Sequence, residues 1–134
     1  MAYLRRKYYY RDKDVPKELS SLYAGFDSLN NHPLFSQLKG EIFPKTSHLN
    51  GKGAFCCVTK GGEIFSNIAS GLDANEWAYA LAHSLLHLAF GHFDKDRMPQ
   101  EAKVYPGVWN KACDIYVTRF LADIGFGKPL FPDP

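Results

Sequence analysis

The stretch from Asp73 to Gly91 constrains the fold more than any other part of the chain. Asp73 stands at a helix start with Glu76 three residues on. In that pattern each side chain satisfies the other residue's backbone N–H. Trp77, Ala80, Leu81, Ser84, Leu85 and Leu88 then recur at helical spacing, an apolar stripe that has to face a core. Gly91 ends the run and suits the left-handed position just past a helix. His83 and His87 lie together on one flank of this helix, about 100° round from Ser84.

Two imidazoles four residues apart on a helix point the same way and can grip one metal ion. The plainer alternative is two part-buried, hydrogen-bonded histidines. A catalytic zinc site takes three protein ligands and leaves a fourth position for water. His92 is one candidate for the third ligand. On an unbroken helix it would sit about 180° from His83, so it joins only if the chain turns back at Gly91. Asp114, on a later helix, is the other candidate, either binding the metal or orienting a histidine from outside. Its mainly apolar sequence neighbours argue against full exposure. His32 and His48 stand in loop-like contexts and read as ordinary loop histidines.

The remaining pattern indicates an α+β domain. Leu19, Leu22, Tyr23, Phe26 and Leu29 form a second amphipathic stripe after Val15-Pro16, and a short helical turn follows Pro33 through Leu38. Residues 54–59 and 63–67 read as two strands joined at Lys60-Gly61-Gly62, an antiparallel hairpin. A charged loop runs from Phe93 to Pro106. A last helix spans Val108 to Asp123, with Trp109, Ala112, Cys113, Tyr116, Val117, Phe120 and Leu121 as candidate core positions. Gly125 and Gly127 stop it, and residues 129–134 read as a proline-rich tail. A length of 134 residues allows one core, so residues 1–134 are taken as a single domain.

Charge is unevenly spread. The formal net charge is +2, yet residues 1–17 hold six Lys/Arg against two Asp, which leaves the remainder at −2. Residues 1–14 form a basic aromatic arm in which Arg5-Arg6-Lys7 precedes Tyr8-Tyr9-Tyr10. Cations beside stacking rings suit single-stranded nucleic acid or an acidic protein. The bland reading, rings on the core and charges in water, is the preferred one. No apolar run is long enough for a transmembrane helix, and no membrane partner is expected. Cys56, Cys57 and Cys113 form no CxxC pair. An odd count with two adjacent members makes a poor disulfide framework, which points to a reducing, cytoplasmic setting.

Three blocks, in order, resemble a known family. They are Thr59 to Asn67, Leu81 to His92, and Trp109-Asn110-Lys111-Ala112-Cys113-Asp114. They are similar to the strand-turn-strand, the H-E-x-x-H helix with a trailing histidine, and the W-N-x-A-x-D helix of a bacterial metallopeptidase domain often found N-terminal to a von Willebrand factor A-like domain. The resemblance implies a zincin-like fold with a small antiparallel sheet packed on helices and zinc on the central helix. It also implies an AAA-type ATPase as protein partner. Ser84 stands where that family has its general-base glutamate. The expectation is therefore a metallopeptidase-like, zinc-binding pseudoenzyme that acts in binding or regulation. One alternative is an active zinc hydrolase with another base, such as Asp94 or Glu101. A second is a metal-free module that binds nucleic acid or an acidic protein through residues 1–14.

Overall fold

The computed structural model describes residues 17–40, 42, 44–47, 56–59, 62–92 and 94–130. The basic aromatic arm, His48 and the end of the tail lie outside them. The described elements are α1 (Lys17–Asn31), α2 (Pro33–Lys39), β1 (Pro44–Ser47), β2 (Cys56–Val58), β3 (Ile64–Asn67), a 3₁₀ turn (Ile68–Ser70), α3 (Ala74–Ala89), α4 (Gln100–Val104) and α5 (Pro106–Ile124). The architecture is α+β and mostly helical, with a small sheet.

α3 is the centre. Its start is the expected reciprocal cap: Glu76 N–H donates to Asp73 Oδ1 at 2.8 Å, and Asp73 N–H donates to Glu76 Oε1 at 3.1 Å. Every residue from Trp77 to Leu86 is buried. A single stripe was expected, but a helix covered on all sides is what a central position requires. α1 covers one side with Leu22, Tyr23, Phe26 and Leu29. The two backbones approach closely at Gly25. A Cβ there would lie 2.6 Å from Trp77 Cβ and 2.8 Å from Ala78 N, so only glycine fits without a shift.

The expected hairpin is present, with Val58 opposite Ile64 and Cys56 opposite Ser66. Thr59 closes its turn, accepting from Glu63 N–H on Oγ1 at 3.1 Å and donating its own N–H to Glu63 O at 2.9 Å. The sheet is not purely antiparallel, which corrects the sequence reading. β1 adds to the other side of β3 in parallel, giving the order β1-β3-β2. Pro44 opens that edge strand, a place where its missing N–H does no harm. Ile64 and Ser66 of β3 are both buried, and they share one face of the strand.

α5 runs antiparallel to α3. Tyr79 hydrogen-bonds Thr118, His87 meets Asp114, and His92 meets Trp109, so rising numbers on one side pair with falling numbers on the other. The buried residues of α5 are Cys113, Val117, Thr118 and Leu121. Ala112 and Tyr116 face solvent, contrary to the expected stripe. Pro106 opens the helix and Gly125 closes it in the left-handed conformation. Lys128 N–H then reaches back to Asn75 O at 3.0 Å, tying the segment before the tail to the start of α3. The loop after α3 holds one further helix, α4, that was not anticipated. No helix among the described residues is long and apolar enough to cross a membrane.

Candidate metal centre

The site is built where α3 ends and α5 passes alongside. The end of α3 is the decisive local structure. Gly91 takes a φ of 70°. Its N–H donates to Leu88 O, and His92 N–H donates to His87 O, each at 3.1 Å. This paired pattern, with glycine at the left-handed position, is the Schellman end. It folds the chain back on itself, as His92 needed in order to approach its neighbours.

His83, His87 and Asp114 come together. Each offers one ligand atom, and these atoms lie within 4.8 Å of one another. His87 Nε2 is 2.8 Å from Asp114 Oδ1. His92 takes a different place. Its Nδ1 lies 3.0 Å from the other ring nitrogen of His87, Nδ1. The two third-ligand candidates thus sit on opposite nitrogens of one imidazole, and His92 is outside the three-residue group.

Exposure differs across the group. His83 is 9% exposed, whereas the Asp114 side chain is 61% exposed. The apolar sequence neighbours of Asp114 therefore misled: its carboxylate reaches over the edge of the site with solvent on its outer side. The donor set suits zinc, which takes imidazole nitrogen and carboxylate oxygen at about 2.0–2.2 Å, putting tetrahedral donors roughly 3.3 Å apart. That separation falls within the observed spread.

Electrostatics favour ligation. Burial, aided by the neighbouring His87, pushes the His83 pKa down to about 4, while Asp114 pulls the other way. Burial also lowers His87, again against Asp114. Burial and then His87 lower His92. Neutral imidazoles at pH 7 are the form a metal requires.

Ser84 is buried on α3 at 7% exposure. A serine hydroxyl without a base beside it accepts no proton at neutral pH. Asp94 and Glu101 are exposed. Asp94 Oδ1 caps Asp96 N–H at 3.0 Å within its own turn, and neither carboxylate belongs to the donor group.

Sequence reasoning missed the role of Trp109, which it placed in the core. Its indole N–H donates to the carbonyl of His92 at 3.0 Å, pinning the turn after α3 to α5. Phe90 and Tyr116 lie against the His92 ring, and Phe90 packs edgewise on Tyr116 and Phe120 at 5.2 and 5.3 Å. The available signal was the adjacency of Trp109 and Asp114 within one helix and one block. Of the other expectations, His32 does serve a local role. Its Nδ1 caps α2 by accepting from Leu34 N–H at 3.2 Å, and its ring packs on Phe35 and Phe126. Cys113 is a buried free thiol. The His83, His87 and Asp114 group could hold a metal ion. Comparison with family models, curated proteins and solved structures found no match for this chain.

Proposed function

We propose that this chain is a zincin-like, zinc-binding domain that has lost peptidase chemistry and acts in binding or regulation. The observation that carries the reading is the convergence of two imidazoles of α3, both with lowered pKa, on a carboxylate of α5. Bound zinc would supply Lewis acidity and a water of lowered pKa. His83 and His87 provide the nitrogens, and Asp114 provides the anionic oxygen at the solvent edge. Among the described residues, no carboxylate besides Asp114 joins the donor group as a base. General acid–base help is worth about 10²–10⁴-fold, and Ser84 cannot supply it. The protein partner implied by the sequence resemblance, an AAA-type ATPase, belongs to this same proposal.

Elemental analysis of protein purified without a histidine tag tests the metal. About one zinc per chain is expected, and less than about a tenth of an equivalent, with no uptake on addition, would overturn the reading. Unfolded protein substrates should remain uncut. Zinc-dependent cleavage that disappears in His83→Ala would show instead that another base is at work. Activity gained by Ser84→Glu would show that the rest of a peptidase site is intact.

A further inference from the structure

The two ring nitrogens of His87 both have partners, and the chemistry of those partners fixes where its proton sits. A carboxylate only accepts, so Nε2, 2.8 Å from Asp114 Oδ1, carries the hydrogen. A neutral imidazole has a single N–H. In the neutral Nε2–H ring, the His87 Nδ1 would accept in its 3.0 Å contact with His92, and the His92 Nδ1 would donate. That arrangement is wrong for ligation. The nitrogen facing Asp114 must present a lone pair to a cation, which leaves Nδ1 as the only place on the ring for the proton.

We propose that His92 is a positioning residue for His87: on metal loading His87 changes from its Nε2–H to its Nδ1–H tautomer, and His92 Nδ1 becomes the acceptor of that hydrogen bond. This rests on the metal reading above. The protons balance without loss. His87 moves its hydrogen from Nε2 to Nδ1, His92 moves its own from Nδ1 to Nε2, both by exchange with water, and both rings stay neutral. The backbone holds His92 for this task. Its N–H is bound by His87 O at 3.1 Å and its carbonyl by Trp109 at 3.0 Å. Its ring lies edgewise to Trp109 and Tyr116, with centroids at 6.1 and 6.3 Å. Partners of this kind fix the tautomer and orientation of a ligand histidine.

The test pairs zinc affinity, by competition with a chelator, with long-range ¹H–¹⁵N spectra of the imidazoles. His92→Leu, which removes the acceptor, should weaken zinc binding about 10–100-fold. His92→Gln, whose amide oxygen can accept from Nδ1–H, should recover most of that loss. In the wild type the nitrogen shifts should report His87 protonated at Nε2 without zinc and at Nδ1 with zinc, a change that a purely structural role for His92 would not produce. This readout needs no variant to fold. One tautomer of His87 in both states, or unchanged affinity in His92→Leu, would overturn the proposal. So would a loss far beyond the about 100-fold of an outer partner together with an altered cobalt(II) spectrum, because His92 would then be a ligand itself. Should the wild type take up no zinc, the metal reading fails and carries this inference with it. Failure confined to the tautomer or to the His92 variants leaves the metal reading standing.

Discussion

α3 has two neighbours of opposite character. Against α1 it is closed by hydrocarbon and by backbone-to-backbone approach at Gly25. Against α5 it is mainly apolar toward the end where Val117 and Leu121 are buried, and carries its donor groups at the other, where His87 meets Asp114 and His92 meets Trp109. The first interface gains stability from burial. The second holds imidazoles neutral in a place where protonating them is costly. Much of what the α5 side loses by carrying polar groups, the α1 side can offset. The comparison teaches that one helix can be both the core of a small domain and the base plate of a donor site, provided its two sides are covered by different chemistry.

The comparison can be broken most severely on the α1 side. Gly25→Ala forces a Cβ into Trp77 and the α3 backbone, and overpacking of this kind costs about 3 kcal/mol. Urea denaturation should show that loss, while zinc stoichiometry of the folded protein stays unchanged. A neutral result would mean that the two helices are not in close contact.

Acid acts on the α5 side through His83. The folded pKa of His83 is about 4, below the ordinary 6.5, so the unfolded chain takes up the proton first. The contribution of His83 to the stability of the metal-free protein is thus complete above pH 6.5, falls as pH drops from 6.5 towards 4, and levels off below. At about 1.4 kcal/mol per pKa unit the loss is roughly 3 kcal/mol. Denaturant midpoints from pH 7.5 down to 4 measure it, and His83→Leu should flatten the profile. A flat wild-type profile would contradict the burial of His83.

Ligand linkage sharpens the same contrast. Zinc at a hundred times its dissociation constant should stabilise the wild type by about 2.7 kcal/mol. His87→Ala and Asp114→Asn should show little of this by thermal denaturation, whereas Gly25→Ala, though weaker overall, should keep the full zinc increment. The smallest effect belongs to neither interface. Asp73→Ala removes one half of the cap on α3 and should cost about 1 kcal/mol with no change in zinc affinity.

Local features were the legible ones. The Asp73–Glu76 cap, the Thr59 turn with its hairpin, and the role of Gly91 in turning His92 back depend on residues close in sequence. Their signatures are short-range hydrogen bonds. β1 was not legible, because Pro44-Lys45-Thr46-Ser47 lacks apolar alternation and its parallel partner β3 lies beyond β2 in the chain. The short α4 hid in a charged stretch that reads as loop. The exposure of Asp114 was misjudged for a geometric reason. Successive residues on a helix point about 100° apart, so buried Cys113 says little about the direction of Asp114. The same geometry makes Ala112 and Tyr116 exposed while Val117 is buried. The choice between His92 and Asp114 depended on which nitrogen of His87 each would meet, and only the packing of α5 on α3 decides that.

X-ray absorption at the zinc edge of loaded, tag-free protein tests the central claim most directly. Two imidazole nitrogens and one carboxylate oxygen from the chain are expected at about 2.0–2.2 Å, with the histidine signal reduced in His83→Ala and the oxygen shell altered in Asp114→Asn. A cysteine sulfur shell, a spectrum untouched by those substitutions, or no bound zinc to measure would contradict it.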